Sequence, residues 1–123
     1  IDYRKFCRPA SSEMEAITVL ELKALIDSSP DEIALVDVRN PAEAEVASIE
    51  GSHLVPLASL ESGEAIDRVR ALAEGRRLLV HCKLGGRSAR AVELLAQQGI
   101  AATNVTGGID AWSQQVDTAI SRY

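Results

Sequence analysis

The run Leu78-Leu79-Val80-His81-Cys82-Lys83-Leu84-Gly85-Gly86-Arg87-Ser88 constrains the chain more than any other stretch, because an apolar segment passes directly into a glycine-rich turn carrying a cysteine and an arginine. Leu78 to Val80 read as a short buried strand, and beyond Ser88 the residues Ala91, Val92, Leu95 and Ala96 fall at helical spacing. A strand that feeds a helix through a tight loop belongs to an open α/β sheet, where such loops gather at the carboxyl ends of the strands and bind ligands. Gly85 and Gly86 are expected to let the backbone curl, so that the N–H groups of Lys83 to Ser88 face Cys82 as an anion nest. The positive end of the helix and the charge of Arg87 would then favour thiolate over thiol at Cys82.

The remainder of the chain repeats the strand-then-helix pattern. Ile17 reads as the end of a first strand, Thr18-Val19-Leu20-Glu21 as a capping box, and Leu22, Leu25 and Ile26 as a helix stopped by Ser28-Ser29-Pro30. Ile33 to Val38 is the second strand, and Asn40-Pro41-Ala42-Glu43 opens a short helix towards Ala47. His53-Leu54-Val55 is a third strand ended by Pro56, and Ala65 to Ala73 an amphipathic helix ended by Gly75. Gly99 closes the helix after the cysteine loop, Thr103-Asn104-Val105 is the last strand, and Gly107-Gly108 begins a final helix with Ile109, Trp112 and Val116 facing inward. The expected architecture is an α/β domain over residues 16–123, with a central parallel sheet and helices on both faces. Residues 1–15 have the composition of a linker or amino-terminal arm, and an opening Ile1 without methionine suggests a piece of something longer.

Composition narrows the partners. A net charge of −5 argues against nucleic acid, and no apolar run approaches membrane length. Cys7 and Cys82 sit in such different contexts that they do not suggest a disulfide, and a reducing cytoplasm is the expected setting. Two cysteines and two histidines scattered without ligand spacing imply no metal. Asp37, Arg39 and Glu43 read as a structural group, in which Asp37 and Arg39 fix a loop by charge-assisted hydrogen bonds. His53 reads as a structural residue. His81 alternates to the opposite strand face from Cys82 and is expected to brace the loop. Trp112 is expected in the core.

Loop length bears on the chemistry. Cysteine-dependent phosphatases hold one residue more between cysteine and arginine than the four here, and the shorter loop suits a single added sulfur atom better than a phosphoryl group. The sequence HCKLGGRS resembles the active-site loop of single-domain rhodaneses, the sulfurtransferases that carry a persulfide. Val36 to Glu43 together with Ile49 to Pro56 resemble that family's amino-terminal hallmark, with Ala44 where an aromatic is usual and Ala47-Ser48 where Gly-His is frequent. The segment Gly107-Gly108-Ile109-Asp110-Ala111-Trp112 resembles its carboxyl-terminal signature, which implies a packing role.

The resemblance implies a five-stranded sheet, catalysis by Cys82, and donor binding by Lys83, Leu84, Gly85, Gly86, Arg87 and Ser88, with Arg39 in reach of the pocket and no cofactor. Lys83, Arg87 and Arg90 would form a positive collar for anionic donors such as thiosulfate; a persulfide protein is the other donor class. Ile1 to Cys7 are similar to the linker before rhodanese domains fused to an adenylyltransferase of the molybdopterin-synthase and thiamine sulfurylase type. In that group the acceptor is a small ubiquitin-like sulfur-carrier protein. A stand-alone thiosulfate sulfurtransferase, a small phosphatase and a silent binding module are the alternatives.

Overall fold

The computed structural model describes residues 16–120, so the expected arm over residues 1–15, with Cys7, lies outside the described residues. The strands are β1 (Ala16–Ile17), β2 (Ile33–Asp37), β3 (His53–Leu54), β4 (Arg77–His81) and β5 (Thr103–Val105). They form one parallel sheet in the order β1-β5-β4-β2-β3. The helices are α1 (Val19–Ser28), α2 (Pro41–Val46), α3 (Leu57–Glu61), α4 (Ile66–Ala73), α5 (Gly86–Gln97) and α6 (Gly108–Gln115).

Strand alternation decides which side chains meet which helices. Ala34, Val36 and Val38 on and after β2, with Leu78, Val80 and Cys82 on and after β4, pack against Leu60 of α3, Ile66 and Val69 of α4, and Ala91, Val92 and Leu95 of α5. Leu35 and Leu79 point the other way, against Val19 and Leu22 of α1 and Ile109 and Trp112 of α6. Both faces are thereby covered, as an all-parallel sheet requires. The capping box of α1 is formed, since Thr18 Oγ1 accepts the Glu21 N–H at 3.1 Å while the Glu21 carboxylate accepts the Thr18 N–H at 2.8 Å. Such a cap contributes about 1 kcal/mol.

Two elements depart from the sequence expectations. Helix α3 was not anticipated, because it is too short to show a period and Leu60 is its only buried residue. Pro56 marks its start: the Pro56 carbonyl accepts both the N–H and the hydroxyl of Ser59, at 2.9 and 2.6 Å. Helix α5 begins at Gly86 and not near Ser88, which places Arg87 and Ser88 inside its first turn.

His81 lies on the face of Leu79, in register with Asp37. It is fully buried, and neither ring nitrogen makes a well-aligned hydrogen bond among the described residues, although the Cys82 backbone lies close enough to the ring to raise its pKa. Burial lowers its pKa to about 4; Asp37 opposes that shift and Arg39 reinforces it. The imidazole is therefore neutral in the folded protein but titrates near its ordinary value of 6.5 when unfolded. A lowered folded-state pKa gives stability that is complete above pH 6.5 and is lost as pH falls towards 4, by roughly 3 kcal/mol in total. Chemical denaturation across this window should show that loss in the wild type. His81→Leu should lack this component, and an unchanged pH slope in that variant would refute it.

Candidate active site

Cys82 follows β4 without a gap, so the sheet itself sets the position of its sulfur. The Gly85 N–H donates to Sγ at 3.0 Å and the Ser88 N–H at 3.4 Å, with the Ser88 hydroxyl at 3.5 Å. Burial, the largest single influence, pushes the thiol up. The Ser88 hydroxyl and the N–H groups of Ser88, Gly85 and Leu84 together outweigh it and hold Cys82 below the ordinary thiol range. The cradle is made by one glycine: Gly85 has φ +124°, open to glycine but not to other L residues, whereas Gly86 is an ordinary helical residue with open space where a Cβ would stand.

Arg87 has a partner that the sequence did not suggest. Its guanidinium grips the Glu43 carboxylate through two bonds, Nη1 to Oε1 at 2.6 Å and Nη2 to Oε2 at 2.9 Å, and it is not among the groups that lower Cys82. Arg90 is exposed and lies 3.7 Å from Glu93. Two of the three collar cations thus sit beside acids, and the groups that hold Cys82 low are backbone N–H groups and a hydroxyl. Lys83 is half-buried, while Leu84 at the tip of the loop is 64% exposed.

Arg39, expected in reach of the pocket, is turned inward. It has 0% exposure, and Nε and Nη2 meet the two Asp37 oxygens at 2.9 and 2.6 Å. Nη2 also donates to the Ala47 carbonyl at 2.7 Å and Nη1 to the Glu43 carbonyl at 3.4 Å. A guanidinium so buried and so engaged clamps α2 to the end of β2. Glu43 was read as structural; it joins this clamp to Arg87, because its carboxylate also accepts the Asn40 N–H at 3.1 Å. One spacing made this legible in hindsight: Asn40 and Glu43 are a cap pair, which points the glutamate back over the start of α2.

Sequence reasoning read Gly107-Gly108 as packing, and the structure brings it to the site. The first turn of α6 donates the Ile109 N–H to the Cys82 carbonyl at 2.9 Å and the Asp110 N–H to the Lys83 carbonyl at 3.0 Å. Gly108, at φ +57°, lies so close beneath that a Cβ would overlap both carbonyls. The available signal was a second strand-glycine-helix junction on the same sheet edge. His53 is exposed on β3 and Trp112 is buried on α6, neither in contact with the cradle by any of these bonds. Among the described residues no cluster of His, Cys, Asp or Glu is placed to hold a metal, and no helix is long and apolar enough to cross a membrane.

The sequence profile of the rhodanese-like domain matches residues 18–115. The chain is 55% identical over 75 residues to an uncharacterized 16.5 kDa protein of Synechococcus elongatus, which covers 61% of this chain and 50% of that protein. It is 32% identical to the probable adenylyltransferase/sulfurtransferase MoeZ of Mycobacterium tuberculosis, covering 100% of this chain and 32% of MoeZ. The chain thus spans half or less of the length of these curated relatives. A solved structure from Staphylococcus saprophyticus superposes with a TM-score of 0.70 at 35% identity, covering 84% of this chain and 97% of that one.

The loop geometry separates its glycines by experiment. Gly86→Ala should change stability by no more than about 0.5 kcal/mol. Gly108→Ala should cost roughly 1–3 kcal/mol through overpacking and should slow alkylation of Cys82 by displacing its carbonyl. Urea unfolding and iodoacetamide kinetics read both effects, and equal costs for the two substitutions would contradict the anchoring by α6.

Proposed function

The chain belongs to the rhodanese-like domain family, and from that membership we propose that Cys82 is the sulfur carrier of a sulfurtransferase. The observation that carries the proposal is the convergence of the Gly85 and Ser88 N–H groups and the Ser88 hydroxyl on one sulfur. The Cys82 thiolate attacks the sulfane sulfur of thiosulfate, a new S–S bond forms at Sγ, the old one breaks, and sulfite leaves with the electron pair. The product is a persulfide anion whose charge meets donors already in place, so little reorganisation is needed. Cyanide then attacks the outer sulfur and leaves as thiocyanate, returning the thiolate in a two-stroke cycle.

In the proposed physiological reaction the acceptor is an adenylated carboxyl terminus of a small ubiquitin-like sulfur-carrier protein, supplied by a fused or partner adenylyltransferase. The MoeZ likeness, with its two-part name, supports this reading, as does 36% identity over 136 residues to the adenylyltransferase and sulfurtransferase MOCS3-2 of Zea mays. The persulfide would displace AMP from the acyl carbon. Residues 16–123 would form the sulfur-carrying unit, in a reducing cytoplasm that preserves the thiol, with residues 1–15 as the link to what precedes it. Leu84, exposed at the loop tip, would face the acceptor.

Treating the purified protein with thiosulfate should give a species heavier by one sulfur atom, located on Cys82 by peptide mass mapping and discharged by cyanide. Cys82→Ser should carry none and make no thiocyanate. Turnover of an aryl phosphate without persulfide formation would overturn the assignment in favour of phosphatase chemistry.

A further inference from the structure

The Ser88 hydroxyl is buried and has three acceptors around it but only one proton to give. Cys82 Sγ lies at 3.5 Å, the Gly85 carbonyl at 3.1 Å, and the Asn104 side-chain oxygen in short contact. Asn104 sits on β5 opposite Val80 of the neighbouring β4, and strand alternation puts its side chain on the same face as Val80 and Cys82. With the amide oxygen towards Ser88, Asn104 competes with the sulfur for that single hydroxyl proton. A half-turn of the amide exchanges oxygen for NH2, a donor with nothing to accept. Ser88 Oγ then receives a hydrogen bond from Asn104, and its own proton must go to Sγ or to Gly85.

We propose that Asn104 is a positioning residue of the cradle: its amide, turned with NH2 towards Ser88, directs the Ser88 hydroxyl proton onto the sulfur of Cys82. A negatively charged sulfur is the strongest of the competing acceptors, because hydrogen bonds to charged groups are about twice as strong as neutral ones. The neutral thiol makes no such demand, and Ser88 then donates to the Asn104 oxygen. The amide thus has two settings, one matched to the thiol and one to the thiolate or persulfide. An aspartate at this position has no N–H and could serve only the first.

The proposal rests on Cys82 as the sulfur carrier, and the test reads the thiolate itself, so that the two ideas fail separately. The pH dependence of iodoacetamide alkylation and of thiolate absorbance would be measured for wild type, Asn104→Ala, Asn104→Asp, Ser88→Ala and the two double variants. Asn104→Ala should lower the thiolate fraction at a pH below the midpoint by severalfold, and Ser88→Ala by up to about tenfold. In the Ser88→Ala background, Asn104→Ala should add no further loss, and Asn104→Asp only what its charge imposes. Asp is close to Asn in size, so that variant retains a folded protein for measurement if Ala does not. A midpoint unmoved by Asn104→Ala and Asn104→Asp, or moved equally with and without the Ser88 hydroxyl, would overturn the proposal. Loss of thiosulfate turnover with an unchanged thiolate titration would count against it as well.

Discussion

A guanidinium with no access to water must be answered in full by the groups around it, and the way Arg39 is answered organises this edge of the sheet. Asp37 balances its charge, while the carbonyls of Glu43 and Ala47 take N–H groups that water would otherwise solvate. Removing one partner would strand a buried charge at a cost of about 3–5 kcal/mol, far above what an exposed pair contributes. The clamp therefore holds α2 in one place. With α2 fixed, the Glu43 carboxylate is presented to Arg87, and through it to the first turn of α5 where Ser88 lies. The chain of contacts from the end of β2 to the sulfur runs through charges on its outer links and neutral donors on its last.

That last change of chemistry has a physical logic. A full cation beside the sulfur would stabilise the thiolate, but it would also hold any anion that has to leave the site, and release would suffer. Backbone N–H groups anchored on a helix keep their direction through the cycle. Arg87, tied to Glu43, is left to shape the entrance of the loop. The carbonyls of Cys82 and Lys83, at the start of the same loop, are secured from below by α6.

Much of this was legible before any coordinates. Cys82 followed by a glycine turn and a helical period marked the strand-loop-helix junction, and the alternation of strands and helices named the layers, because burial on both sheet faces writes itself into apolar spacing. What stayed hidden depends on partners distant in the chain. Arg39 looked like a candidate for the pocket because sequence places it on the right edge, yet the direction of a long side chain follows from the carbonyls it meets. Arg87 looked like a free charge because Glu43 lies 44 positions away. Gly108 looked like packing because nothing in its neighbours says that it lies beneath Cys82. Helix α3 was lost for a different reason: its signal is one leucine and a proline.

A thiol held below its ordinary pKa usually pays in sensitivity to peroxide, since the thiolate is the form that oxidises. Cys82 is only 1% exposed, with Gly85 and Ser88 drawn around its sulfur. The groups that favour the thiolate are therefore the same groups that stand between the sulfur and solvent. Acidity and accessibility, which most reactive cysteines acquire together, are separated here: the pKa of Cys82 is lowered while its sulfur stays covered. The positive φ of Gly85 then bears on chemical durability as well as on shape, because it is the backbone conformation that brings this N–H over the sulfur.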